Sequence, residues 1–422
     1  MSLEITIATE AEKSGIRTSL GIGYGVKVTK ANGSCTSYVP TADTDTARFV
    51  AWTAAHTALL TGETIETPPG DYYITTNFIN LKSATYIFNG SRFYTNASTA
   101  AGGGGAYANW TFWATDLAAL TIRGPWIIDG GSVSGKVGMV IQKCLGTNIS
   151  EIWFKNFPGS GGTTGVGLYV AGDSSTKTPA KSATNLRMTA CGTGMRTDSG
   201  TEYWTFTNIH IESCTSWGII NTGGNNLFLG CHLTNNGIGF ELTGNLAGNS
   251  GHGSFVGGTI NHSVSKGLKV NSGFALGFEF VGSQFFANGS GGIDLGGAGV
   301  HFTACEIDSV VTCSVAQEGL HVFRGCLMPQ SNATLTTLTA PQRANIKFYG
   351  CKTLTGDYPS NNPEAPPVYT VAALPAAAAA TYGTCAVSDA TTPVVGSTVA
   401  GSGAVKALVT SNGTTWTVTA IP

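Results

Sequence analysis

The sequence predicts an all-β fold, a parallel β-helix of about ten or more rungs, with a capping helix at its N-terminal end and a small β domain at its C-terminal end. Three observations carry this. Glycine makes up 58 of 422 residues without a collagen-like period, while 42% of residues are hydrophobic, which indicates many turns around a real core. A column of small or apolar residues recurs through Trp126, Ile152, Leu186, Ile209, Cys231, Gly258, Ser283, Cys305, Cys326 and Cys351; the nine steps average 25 residues. A second motif, Gly-Φ-x-Φ (Φ apolar), lags the first at Gly167, Gly194, Gly218, Gly239, Gly267 and Gly292.

Each repeat therefore holds at least two short strands of period-two alternation joined by Gly, Asn and Ser turns. A unit of that size cannot bury its own apolar face and must stack on its neighbours. Propeller blades need about 40 residues or more, and leucine-rich repeats need a Leu and Asn spacing that the chain lacks. An apolar residue usually follows two positions after the first column, as Phe154, Ile211, Leu233 and Ile307 do. The residue between them then faces outward.

The elements follow in order. Residues 1–40 are a weakly patterned head. At 41–62, Asp43 or Asp45 can cap a helix whose Phe49, Trp52, His56 and Leu59 share one face, with Gly62 as its end. "TIETPPGDYYIT" (64–75) reads as strand, turn and strand. An amphipathic helix over the open end of a solenoid keeps that end soluble. The solenoid runs over 41–358, a proline-rich linker over 359–368, and a small β-module over 369–422, where "SNG" at 411–413 marks a hairpin.

Composition narrows function. The net charge is −2 with no basic runs, which argues against nucleic acid as a partner. No apolar run is long enough to span a membrane, and residues 1–30 lack a secretory signal, so folding in the cytosol is expected. Without a CxxC pair, the ten cysteines are expected to be free, buried thiols, and those at column positions to stack in the interior. No cofactor and no metal site is expected.

The helix "DTARFVAWTAAHTALLTG" followed by "TIETPPGDYYI" resembles the opening segment of pectate-lyase-like right-handed β-helix proteins, a superfamily that includes many bacteriophage tailspikes. The tail, with Leu374-Pro375 before an alanine run, Ser388-Asp389-Ala390 and Ser411-Asn-Gly-Thr-Thr-Trp416, resembles a module common in phage tail proteins. The resemblance implies a homotrimeric tailspike or tail fibre of the virion, attached through its N-terminal head to other tail proteins. Such a protein is made in the host cytoplasm and recognises host capsule, lipopolysaccharide or exopolysaccharide at the cell surface. A non-catalytic structural arm or adhesin, and a bacterial polysaccharide-degrading enzyme, are the alternatives.

Candidate site residues lie on the outward column of the Gly-Φ-x-Φ strands: Tyr169, Arg196, Ile220, Glu241, Lys269 and Asp294. Glu241 and Asp294 fall two rungs apart, so their backbones are about 9–10 Å apart. That suits the acid and base of an inverting glycosidase, whose carboxyls stand about 6.5–9.5 Å apart. Lys269 between them can hold one carboxylate ionised, and Tyr169, Arg196, Trp217 and Lys269 can face a glycan. A charge ladder that only relieves repulsion fits the same pattern. Trp153 and Trp204 are further aromatic candidates. Glu306 with Asp308 is a second carboxylate pair, and His210 with His232 is a stacked pair without an evident third ligand. His252, in "SGHGS", matches the Gly-His-Gly of polygalacturonases, but the accompanying Asp-Asp and Arg-Ile-Lys motifs are missing, so it reads as a loop residue before a strand.

Overall fold

The computed structural model describes residues 25–421 except 76–78, 96–109, 161, 173–180, 245–251, 273, 275–276, 290, 298, 314–320, 329–345, 354–355, 358–367, 375 and 378–383. All of the expected linker but Val368, and most of the expected head, lie outside the described residues.

The chain forms a β-solenoid of about nine turns with one helix near its start and a separate small sheet at its end. Three parallel ladders make its faces. The first runs from Thr64–Thr67 through Trp204–Thr207 to Ile346–Tyr349. The second runs from Gly70–Tyr73 through His210–Glu212 to Glu306–Asp308. The third is a ten-stranded sheet from Ile79–Asn80 to Val311–Thr312.

The predicted small-residue column opens the second face, in register: Trp126 pairs with Ile152, and Cys231 with Gly258. Just before it the chain bends through a left-handed residue on most rungs, including Glu151, Asn185, Asn208, Gly230, Gly257, Gly282, Ala304, Gly325 and Gly350. That bend turns the strand from the first face to the second and leaves carbonyls at the corner. The column side chains satisfy them. Cys231, Ser283, Cys305, Cys326 and Cys351 each donate to a carbonyl of the preceding rung, Phe206 O for Cys231 and Phe302 O for Cys326. Cys and Ser exchange in this column because both are small and carry a donor.

The core is organised by an aromatic ladder. On the first face Phe206, Phe228, Phe255, Phe280, Phe302, Phe323 and Phe348 occupy consecutive rungs, all buried. Ring centroids of Phe302 and Phe323 are 4.5 Å apart, and those of Phe323 and Phe348 are 4.9 Å apart. Stacking of this kind adds to plain area burial.

At the N-terminal end, β1 (Val26–Thr29) and β2 (Cys35–Tyr38) form a hairpin, and β1 pairs antiparallel with β3 (Thr64–Thr67). Residues 25–38, expected in the head, are thus the edge of the solenoid's first rung. Helix α1 (Asp45–Ala58) buries Phe49, Ala51, Trp52 and Ala55. Its N-cap is Thr44, whose side chain accepts from Ala47 N, not Asp43 or Asp45; those two bind Arg48 instead. All ten cysteines are free as expected, but Cys35, outside the column, is exposed.

The C-terminal sheet orders Val368–Tyr369, Thr384–Ala390, Val405–Ser411 and Trp416–Ala420 around its own core of Cys385, Val387, Val409, Trp416 and Val418. The "SNG" hairpin is present, with Asn412 Oδ1 accepting from the Thr414 and Thr415 N–H groups.

Candidate functional site

The Gly-Φ-x-Φ motifs lie on the third face, in register. Tyr169, Arg196, Ile220, Glu241, Lys269 and Asp294 form one column, each paired with the next. Their neighbours Leu168, Met195, Ile219, Phe240, Leu268 and Ile293 are fully buried inside. The glycine also faces inward: a Cβ at Gly239 would lie 2.5 Å from Ile260 Cγ2. Two consecutive inward positions break the period-two alternation, and the residue before the glycine is re-aimed outward. Trp217 and Lys266 therefore reach the same outer surface as Glu241 and Asp294.

Around Glu241 a dense cluster results. Trp217 Nε1–H donates to Glu241 Oε2 at 2.5 Å, Asn271 Nδ2 donates to Oε1 at 2.6 Å, and Lys269 Nζ stands 3.4 Å from both oxygens. Asp294, one rung beyond Lys269, is ion-paired with Lys266. Each carboxylate thus has its own lysine. Glu241 and Asp294 are only 6% and 9% exposed, whereas simple alternation leaves them open to solvent. Trp217, Asn271 and the two lysines reach them from neighbouring strands. The open part of the cluster is Trp217, Lys266 and Lys269, all half-buried.

Tyr169 and Arg196 do different work. Tyr169 is 1% exposed, packed with Trp110, Val140 and Val166 in a second apolar cluster on the outside of the third face. Its ring offers no face to a sugar, contrary to expectation. Its hydroxyl donates to Asp198 Oδ2 at 2.9 Å. The Arg196 guanidinium sits 5.4 Å from the Tyr169 ring, donates to Gly162 O at 2.9 Å and reaches Asp198 at 3.6 Å. Arg196 holds the loop at Gly162 against this face.

The outward column of the second face runs Trp153, Arg187, His210, His232, Thr259, Gln284 and Glu306. The Arg187 guanidinium lies 4.7 Å from the Trp153 ring, and it pairs with Glu212. The His210 and His232 rings are 6.5 Å apart; His210 Nε2 is 3.6 Å from Glu212, and His232 Nδ1 contacts Thr259 Oγ1 at 3.1 Å. Burial holds His210 below the usual histidine range, against the pull of Glu212. Among the described residues no group of three ligands could hold a metal. Glu306 accepts from Gln284 Nε2, and Asp308 is half-buried on the same strand. Trp204 is buried on Phe206 and is not a surface aromatic. His252 immediately precedes the strand Gly253–Asn261 and is half-buried.

Sequence reasoning missed one charged centre. Buried Asp129 takes Arg92 at 2.8 Å, Lys155 at 3.4 Å, Asn156 Nδ2 at 3.0 Å and Gly131 N at 3.0 Å. Burial pushes its carboxyl up, but these donors and cations together hold it below the usual range. The signal was faint, because Arg92, Asp129 and Lys155 come from three different rungs of the second face.

Fold and site together define a parallel β-helix whose outer third face carries a tryptophan, two lysines and two carboxylates. No protein-family model and no curated protein sequence matches the chain. Among solved structures it is similar to the ORF18 protein of Geobacillus virus E2, at 15% identity over 99% of this chain and 80% of that one, with a TM-score of 0.50. It also matches the mannuronan C-5 epimerase A-module of Azotobacter vinelandii, at 13% identity over 73% and 94% with a TM-score of 0.41. Tailspike protein 3 of bacteriophage CBA120 matches at 11% identity over 98% and 76%, with a TM-score of 0.35. The likeness to the ORF18 protein is one of fold. Among the described residues no helix is long and apolar enough to cross a membrane.

Proposed function

We propose that this chain is a phage tail protein, a tailspike or tail fibre, that recognises host surface polysaccharide through the outer third face of its β-helix. One observation carries the reading: Trp217, Lys266 and Lys269 stand together at the surface over carboxylates that fix their positions. An indole beside amine donors, held by buried partners, is a preorganised surface for a polyhydroxylated ligand. The viral origin of the ORF18 protein, whose fold covers nearly the whole chain, supports the tail assignment. In this reading the chain is a homotrimer of the virion, the part of the head that precedes the solenoid's first rung contacts other tail proteins, and residues 369–422 serve trimerisation or distal binding. The glycan is capsule, lipopolysaccharide or exopolysaccharide.

Binding is the primary role, because each carboxylate is already compensated by a lysine. Hydrolysis by Glu241 and Asp294 is the second reading, favoured by their register two rungs apart on one face. Purified protein incubated with host capsule or O-antigen separates the two, with reducing ends and absorbance near 230 nm as readouts. Cell binding without either product establishes the binding role alone. Product formation that survives Glu241→Gln and Asp294→Asn removes this pair from the chemistry. Absence of both binding and product overturns the proposal.

A further inference from the structure

Three thiols form a continuous row at the C-terminal end of the solenoid. Cys305, Cys326 and Cys351 occupy the same column position on successive rungs; the residues that follow them, Glu306, Leu327 and Lys352, bridge in register. Adjacent rungs of a parallel ladder bring their Cα atoms to about 4.8 Å, inside the range a disulfide accepts. The three side chains point to the same side, since each donates to the carbonyl of the equivalent phenylalanine one rung back. Each thiol also lies near the carbonyl two residues before it, Thr303 O, Arg324 O and Tyr349 O. Cys191 and Cys214 also lie on adjacent rungs, at another corner, but each bonds the carbonyl two residues before it on its own rung. The C-terminal row differs in position: Cys351 lies on the last described rung, at 5% exposure, while Cys305 and Cys326 are at 1%.

We propose that Cys326 and Cys351 are a redox latch: under oxidation they join in a disulfide that fastens the last described rung of the solenoid to the one before it. Two S–H bonds break and one Sγ–Sγ bond forms. The two protons and two electrons pass to a small-molecule disulfide such as oxidised glutathione, which becomes two thiols. The attacking group reaches the oxidant during local opening of the rung that carries Cys351, the most exposed thiol of the three. Cys305 keeps its bond to Phe280 O and stays reduced. In a reducing compartment the row persists as thiols that serve only the corner carbonyls.

The test uses the full-length protein in a Cys35→Ser background, which removes the exposed thiol and with it the simplest route to linked chains. After exchange from reductant into oxidised glutathione, peptides are mapped by mass spectrometry without reduction. The latch predicts loss of two thiols, a linked peptide pair joining Cys326 to Cys351, and reversal by dithiothreitol. Hydrogen exchange of residues 346–349 slows by about 100-fold on oxidation, as closure of a loop between adjacent rungs implies. Cys351→Ser, which keeps the donor that Ser283 already supplies in this column, abolishes both the link and the slowing while remaining folded by circular dichroism. An unchanged thiol count, stable mixed disulfides with glutathione, or a link from Cys326 to Cys305 overturns the latch.

Discussion

Glu241 shows how much of a single residue's role its neighbours decide. Its outward position on a Gly-Φ-x-Φ strand was legible, and so was Lys269 on the next rung. Its burial was not. That follows from Trp217, which strict alternation places inside and the inward-facing glycine after it sends outside. Lys266 was hidden by the same effect, so the pairing of Asp294 could not be read from spacing. Glu241→Gln keeps the shape but leaves Lys269 without its charge partner. It is expected to cost about 1–3 kcal/mol in urea unfolding, and a change under about 0.5 kcal/mol would mean that the cluster contributes little to the fold.

A second residue-scale prediction concerns acid. His321 is 1% exposed, accepts at Nδ1 from Val300 N at 3.4 Å, and burial lowers its pKa to about 4. The unfolded chain takes up this proton near its ordinary value of about 6.5, so the unfolded state binds more protons between the two values. Stability is therefore full above about pH 6.5, falls as pH drops from there to about 4, and levels off below. The loss is on the order of 3 kcal/mol for this one group. His56, half-buried beside Tyr86 and likewise lowered to about 4, titrates in the same direction. Thermal midpoints between pH 4 and pH 7 check the slope, and His321→Gln, which retains an acceptor, is expected to flatten it. A slope unchanged in that variant would assign the acid sensitivity elsewhere.

At the scale of the element, the rung is set by corners as much as by strands. The column of Cys, Ser, Gly and Ile could be read directly because it repeats in kind. The bend before it could not, because Glu, Asn, Gly and Ala all occupy its left-handed position. The phenylalanine ladder was legible and overlooked: Phe stands three residues before the column in "FLGC", "FVGG", "FVGS", "FTAC", "FRGC" and "FYGC". Gly257 and Gly258 separate the two demands of the corner. Gly257 has φ +66 with open space where a Cβ would go, whereas at Gly258, φ +83, a Cβ would lie 2.0 Å from Cys231 O. Gly257→Asn is thus expected to stay within about 1 kcal/mol of wild type, as Asn185 and Asn208 fill the same corner on other rungs. Gly258→Ala forces two rungs apart and is expected to cost about 3 kcal/mol or more, or to abolish soluble yield. Equal stability of the two variants would contradict this view of the corner.

For the whole molecule, the repeat was visible because stacking demands a small or apolar residue at the same place on every rung, and the capping helix because its apolar residues share one face. Outer-face chemistry demands no such repetition. The sequence could therefore place Tyr169, Arg196, Glu241, Lys269 and Asp294 in one column, but not show that the first two close against a loop, that Glu241 joins Trp217 and Lys269, and that Asp294 pairs with Lys266. The β-solenoid carries the Trp217, Lys266 and Lys269 cluster on its outer third face, and glycan recognition is proposed there. Calorimetric titration of wild-type protein and Trp217→Ala with fragments of host capsule or O-antigen tests it most directly. The account predicts saturable binding by wild type and affinity weakened by about tenfold or more in the variant. Equal affinity in a folded Trp217→Ala protein, or no binding of surface glycan by wild type, would contradict it.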